Sequence, residues 1–525
     1  MRSSNRPGIF LFLLATITLT ACEKEPRQVA YIKASNAEAG DEFGNGGATL
    51  GNSVALSDDG STLAVGAPLE RGGFRGINNN QEDNSLYGAG AVYVFSRSDA
   101  GWEQQAYVKA SSPELGDNFG ANVALSGDGN TLAVFSRFEG SAATGIDGNQ
   151  DDDSIPGAGA VYLFTREEIT WSQQAYIKAS NTGEPAPRED LWSDGDQFGY
   201  AIDLSPDGNT LAVGAIGEDS AATGINGDES DNSATGAGAV YVFVRSDGMW
   251  SQQAYVKASN AGIGHYFGVA VSLGVNGDVM AVGSFDEGGS GVPGLDPLLD
   301  EDDPLVGTGA VYVFKRNGNT WSEIAKLKAV NAEQEDSLGI AVAISNDGNT
   351  VAAGALDEDG LTTGVNSTPV PDVHENTFAG AAYVFVREGD TWSQQAYIKS
   401  TNISRNDWFG SRLALSADGN TLAVGSQLED SAAQGIGGRQ DDDSATESGA
   451  VYLFTRSNNV WTQDAYVKGA NTENYDEFGS SISLSGDGSM MAVGARGEDS
   501  ATAGINATQD DNAAPESGAV YLFRN

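Results

Sequence analysis

Cysteine is almost absent from this chain. The single thiol is Cys22, so no disulfide framework can staple the fold. Histidine is nearly as scarce, with only His265 and His374, which leaves little material for a histidine-based triad or a zinc centre. Positive charge is thin as well: 28 lysines and arginines stand against 73 aspartates and glutamates, a net charge of −45. Recognition of a phosphate backbone needs clustered cations, so a nucleic-acid partner is not expected. Also missing is any long stretch with apolar residues at 3.6 spacing, which turns the reading toward an all-β chain. Disorder is the other usual meaning of such acidity. Here 40% of the residues are hydrophobic and they recur periodically.

The N-terminus reads as an address. Arg2 and Arg6 precede an apolar run from Ile9 to Leu19, too short to span a bilayer and of the length of a signal-peptide core. Leu19-Thr20-Ala21-Cys22 resembles the bacterial lipobox. That resemblance implies a lipoprotein signal peptide over 1–21, lipidation of Cys22, a membrane tether over 22–27 and a mature domain over 28–525. Glu23 follows the cysteine, which points to the outer rather than the inner membrane. An exported protein of the cell envelope is expected.

The mature chain repeats itself seven times, with a period of about seventy residues, and repeats decide architecture. In the second copy Phe119-Gly120 opens a strand that turns at Asp128-Gly129 into Thr131-Leu132-Ala133-Val134. A long polar loop leads to the apolar strand Gly159-Ala160-Val161-Tyr162-Leu163-Phe164, and Trp171 precedes a last strand ending in Lys178. All seven copies carry Asp-Gly or Asn-Gly at the tight turn, the signature of a two-residue hairpin. A lysine recurs on every fourth strand, at 33, 109, 178, 257, 328, 399 and 468, and is expected to protect an exposed sheet edge. The chain ends on a third strand, Val520-Tyr521-Leu522-Phe523, and begins on an orphan fourth strand, Ala30-Tyr31-Ile32-Lys33. An N-terminal strand that completes the last unit closes a ring. The expected fold is a seven-bladed β-propeller with four antiparallel strands per blade.

Phe119-Gly120, Val213-Gly214-Ala215 and Gly238-Ala239-Val240-Tyr241-Val242-Phe243, with counterparts along the mature chain, resemble the FG-GAP repeat of integrin α-subunit propellers. The resemblance implies a propeller and suggests adhesion. It also implies a calcium motif, Asp-x-Asp-x-Asp-Gly-x-x-Asp, in the first hairpin. The matching window in the second copy is Ala124, Ser126, Asp128-Gly129 and Leu132, and in the third copy Asp203 and Asp207 are followed by Leu211. Calcium is therefore not expected at that position.

In an up-and-down blade all the long second-to-third loops share one face of the disc. They hold about half of the acidic residues, and only Arg71, Arg75, Arg137, Arg439 and Arg496 as cations. One face should be strongly negative. Hard cations such as calcium take six to eight oxygens, and the candidate ligands are Asp151, Asp152, Asp153, Glu218, Asp219, Asn226, Asp231, Asp441, Asp442, Asp443, Asp510 and Asp511. His265 stands where the other copies have aspartate, as a turn residue would. Tryptophans 102, 171, 250, 321, 392 and 461 recur at one position and read as blade packing. Trp192 and Trp408 break that pattern by preceding Phe-Gly on the long-loop face, and are the candidate ligand contacts. No catalytic constellation stands out. The expected function is a lipid-anchored, non-catalytic binding or adhesion propeller whose partner is a protein or a polysaccharide. A scaffold subunit of an envelope complex and a carbohydrate-active enzyme are the alternatives.

Overall fold

Each copy begins with a hairpin that its own turn chemistry closes. In the second, Ser126 Oγ donates to Asp128 Oδ1 (2.6 Å) and accepts from the Thr131 amide (2.9 Å). Asp128 Oδ1 also accepts the Asn130 amide (2.9 Å), and Gly129 takes the positive φ, 65°, that such a turn demands. The hairpin joins Phe119–Leu125 to Thr131–Ser136, and Ala160–Glu167 and Thr170–Ile177 complete an antiparallel meander. The computed structural model describes residues 26–45, 51–183, 195–288, 307–367 and 377–525. Among these it forms seven such four-stranded sheets and no helix. No helix of the described residues is long and apolar enough to cross a membrane.

The ring closes as the chain ends require. Arg27–Ile32 pairs antiparallel with Ala519–Arg524, Tyr31 opposite Tyr521, and becomes the outer strand of the seventh blade. The inner strands of all seven blades line one axial cavity.

Adjacent blades meet backbone to backbone, which explains two of the repeated glycines. A Cβ on Gly66 would lie 1.9 Å from the carbonyl oxygen of Gly120 in the next blade, and Gly120 itself holds φ at 96°. The second blade is the variation on this rule. It places Phe135 where its neighbours have glycine, and that ring fills the space above Gly199. In six blades the opening phenylalanine packs edge-on against the third-strand tyrosine, as Phe119 does on Tyr162 at 5.4 Å, and in the fifth Leu338 takes its place. Phe43 takes this role in the first blade, 5.4 Å from Tyr93.

Four of the six repeated tryptophans join blades. Trp171 Nε1 donates to Gln105 Oε1 of the preceding blade (2.8 Å), and Arg166 lies 5.3 Å over the indole while donating to the same oxygen (3.1 Å). Trp250, Trp321 and Trp461 repeat the bond to Gln174, Gln253 and Gln395.

The repeated lysines correct the expectation of edge protection. Lys33, Lys109, Lys178, Lys257, Lys399 and Lys468 are fully buried. Each ends on a glutamate at the start of the long loop: Lys109 Nζ lies 2.8 Å from Glu70, Lys178 2.7 Å from Glu139 and Lys257 2.6 Å from Glu218. Lys468 pairs with Glu429 at 2.8 Å, Lys399 with Glu358, and Lys33 on the closing strand with Glu498 at 2.6 Å. At the end of the fourth blade's outer strand, Lys328 reaches Glu287 at 2.7 Å. An edge lysine would point to water. These point inward because the loop folds over them and supplies the counter-charge that a buried ammonium requires. A tyrosine two residues earlier often completes the cluster, as Tyr176 Oη does by donating to Glu139 (2.6 Å). Where that tyrosine is replaced by Lys326, its ammonium sits on Glu287 at 2.5 Å.

Candidate functional site

The long loops are ordered by their own polar groups. Gly224-Ile225-Asn226 clips the third loop to the outer strand. Ile225 bridges Val256, the Asn226 amide donates to Tyr255 O (2.7 Å), and Asn226 Oδ1 accepts the Tyr255 amide (2.9 Å). Asp219 Oδ1 accepts the Gly236 amide (2.8 Å) and Asp231 Oδ2 the Ala221 amide (3.0 Å). Glu218 is the partner of Lys257. In the second loop Asp152 Oδ2 accepts the Ala142 amide (3.1 Å), while Asp151 lies 3.5 Å from Arg75, both exposed. Asp153 meets the carboxyl of Glu114, whose pKa this contact raises to about 7. Asp441 pairs with Arg439 at 2.6 Å. Asp443 and Asp510 are exposed, and Asp442 and Asp511 half-buried. These candidate ligands are thus spread over separate duties. Among the described residues no three histidines, cysteines or carboxylates group to hold a metal.

A different feature marks the same face. The residue before each Phe-Gly or Leu-Gly stands where an inner strand begins, beside the axis. These residues are Glu42, Asn118, Gln197, Tyr266, Ser337, Trp408 and Glu477, with φ of 54, 55, 52, 51, 60, 55 and 49°. This is left-handed backbone, which costs a side chain other than glycine about 1–2 kcal/mol. Glycine would satisfy all seven positions, yet none has it, and seven blades offer six different side chains. Some of these side chains are held by contacts of their own, Ser337 Oγ donating to Asp357 (2.6 Å) and Tyr266 stacking on Phe285, and strain kept in all seven blades is a reason to ask what the ring does. Trp408, a candidate from its sequence position, belongs to this ring and is half-buried. Trp192, Cys22 and His374 lie outside the described residues. His265 is buried in the turn below, its carbonyl accepting from Ser284 Oγ (2.6 Å).

The mouth has two unlike halves. On one side Tyr200, Ile216, Val269 and Ile340 form a buried apolar cluster, with Tyr266, Phe285 and Leu356 packed on it and partly exposed. The Tyr266 and Phe285 rings stack at 5.2 Å with 7° between planes. On the other side a cavity of about 320 Å³ is bordered by Glu42, Tyr475, Glu477, Arg496, Asp499 and Glu516. There Arg496 Nε donates to Glu477 Oε2 (2.6 Å), and Tyr475 is 58% exposed. Between the halves, blade six contributes Trp408, the buried Gln427 with an unpartnered Oε1, and Arg412. Burial lowers the Arg412 pKa to about 10.

Beneath the mouth runs the axial cavity, about 270 Å³, lined mainly by small and aliphatic residues of the inner strands. Asp203 also borders it. Its carboxyl accepts the Leu273 amide (2.7 Å), and desolvation raises its pKa to about 7. The outer-strand clusters and the ring share one lesson about sequence signals. The glutamates at 70, 139, 218, 287, 358, 429 and 498 recur in every copy, so their recurrence was available to find the buried pairs. The ring residues vary from copy to copy, and what they share is a left-handed backbone angle that several loop and turn residues also take.

The FG-GAP repeat family model matches residues 392–454 and 461–523. No curated protein matches the chain. Among solved structures, the β-propeller domain of Myceliophthora thermophila Cps50 (Swd1) is similar, at 9% identity and a TM-score of 0.46, over 95% of this chain and 99% of that one. The WD40 repeats of RRP9 align over 93% and 99%, with 10% identity and a TM-score of 0.45. A putative 6-phosphogluconolactonase from Bacteroides uniformis aligns over 79% and 85%, with 10% identity and a TM-score of 0.44.

Proposed function

From a chain that carries FG-GAP repeats and closes as a seven-bladed propeller, we propose a lipid-anchored, non-catalytic binding protein of the bacterial cell envelope. It takes its partner, a protein or polysaccharide of another surface, at the axial mouth of the long-loop face. The observation that carries this reading is the ring of seven strained, non-glycine residues of six kinds on an otherwise repeated backbone. Lipidation of Cys22 would hold the disc at the membrane, since a diacylglycerol plus an acyl chain gives the two anchors that stable binding needs. The acidic loops keep the face soluble and set the charge that a partner meets.

The test uses the soluble protein, residues 23–525, applied to whole cells and to extracted envelope polysaccharide, in calcium and in chelator. Saturable binding that falls about tenfold or more in a Tyr266→Ala/Trp408→Ala double variant is expected, and it should persist in chelator. Binding that the double variant leaves unchanged would remove the mouth from this role.

A scaffold reading has its own observation. Phe74, Tyr87 and Leu115 are 49, 53 and 73% exposed on the first two blades, and the Gly116 amide bonds to Tyr87 O (3.0 Å), placing Leu115 beside Tyr87. A docking subunit would use this rim, and Tyr87→Ser would then weaken capture of envelope proteins while the mouth variant would not.

A further inference from the structure

Buried cations in this protein follow a rule, and one residue departs from it. Each fully buried lysine ends on a glutamate. Arg412 is as secluded, at 6% exposed, but no carboxylate of the described residues forms an ion pair with it, and Glu477 acts on it only from farther away. Its Nε donates to Ser480 O (2.8 Å) and its Nη1 to Ser411 O (2.9 Å), and among the described residues no hydrogen bond engages Nη2. A guanidinium taken out of water without a counter-charge is expensive, and such a charge normally has a partner of opposite sign. The inner-strand register puts Asn122, Ser481 and alanines 201, 270 and 341 at the corresponding places in other blades. The cation is therefore peculiar to blade six and no part of the repeat.

Arg412 borders the axial cavity, and so does Ser411. Ser411 is 1% exposed and its Oγ is a buried polar atom without a partner. The rest of the lining is largely alanine, valine, leucine and isoleucine. A ligand that suits this set carries one anionic group with two oxygens, on a small and otherwise weakly charged body. At about 270 Å³ the space lies just below the range of sites for drug-sized molecules.

We propose that the axial cavity binds a small carboxylate-bearing ligand, with one oxygen on Arg412 Nη2 and the other accepting from Ser411 Oγ. A charge-assisted pair of this kind suits guanidinium geometry. The inference rests on the reading of the mouth as the binding side, and it gives that site a ligand class. Two sources share the chemistry: a free short-chain acid, and the uronate residue of an acidic glycan.

The experiment is titration calorimetry of residues 23–525 with sodium acetate, sodium glucuronate and glucose at matched ionic strength. Parent protein is compared with Arg412→Gln and Ser411→Ala variants whose unfolding midpoints show that they are folded. At least one carboxylate should bind while glucose does not, with affinity about tenfold or more weaker in Arg412→Gln and a smaller loss in Ser411→Ala. Preference for acetate identifies a free acid as the source, and preference for glucuronate a glycan. Silence from both carboxylates, equal binding of glucose, or an Arg412→Gln variant that binds like the parent would overturn the proposal. Partner binding that depends on Tyr266 and Trp408 beside silent carboxylates would overturn this inference alone. Carboxylate binding beside a mouth variant that still holds its partner would overturn the mouth reading alone.

Discussion

The outer half of each blade and the rim of the axis obey opposite rules. At the outer strands, seven blades do one thing: a lysine pairs with a glutamate, fully buried in six of them, whatever loop length follows. At the mouth the same seven blades share only a backbone angle and offer Glu42, Asn118, Gln197, Tyr266, Ser337, Trp408 and Glu477. Repetition marks what every blade needs in order to fold. Divergence on a shared and strained backbone marks what the assembled disc presents. The contrast also separates two kinds of buried cation, those with a built-in partner and Arg412 without one.

The sharpest way to break this comparison is to strip a lysine of its partner. Glu429→Gln leaves Lys468 buried without its counter-charge and should cost about 3–5 kcal/mol in a urea unfolding experiment. The double variant with Lys468→Met should recover most of that loss. A single variant near neutral would show that the pairs are incidental to the fold.

A second prediction concerns the aspartates in the turns beneath the mouth. Asp41, Asp117, Asp407 and Asp476 accept a backbone amide three residues back and are nearly inaccessible to water. Desolvation raises their pKa values to about 7, 6, 7 and 8. The folded state therefore binds more protons than the unfolded chain between about pH 4 and 8, and stability falls as pH rises through that window. Lowering pH from 8 to 6 should raise the melting midpoint, the unfolding free energy growing by about 1.4 kcal/mol per pH unit for each proton taken up. Relief of repulsion among the surface carboxylates acts in the same direction. A midpoint that drops on this acidification would show the aspartates to be ionised in the fold.

The smallest effect is expected at the ring itself. Trp408→Gly removes a side chain that belongs to no core cluster and relieves a φ of 55°. Its unfolding free energy should stay within about 1 kcal/mol of the parent, while partner binding falls. A large loss of stability would make Trp408 a packing residue and return the ring to the scaffold.

Much of the architecture is legible in the chain itself. The Asp-Gly turns, the apolar third strand and the orphan strand Ala30-Tyr31-Ile32-Lys33 announce seven blades and a closed ring, because turn chemistry and strand alternation are local. The repeated tryptophans read as blade packing for the same reason. The lysines misled because a period tells that a position matters without telling which way its side chain points. The partner glutamates recur just as faithfully, about forty residues earlier, and pairing the two needs the loop to fold back. Asn226 and Asp231, candidate cation ligands, take backbone amides, because the residue types that coordinate metals also cap turns and clip backbones.

By itself, then, the sequence determined the repeat, the strand order within a blade and the number of blades, since each depends on contacts within some seventy residues. Only the tertiary structure decided what lies at the axis. Arg412, Ser411, Tyr200 and Tyr266 come from blade openings or inner strands of three blades, far apart along the chain. They become neighbours only because a closed ring brings seven inner strands to one line. The angles that mark the ring residues, and the missing partner that marks Arg412, are properties of that closure and of no single repeat.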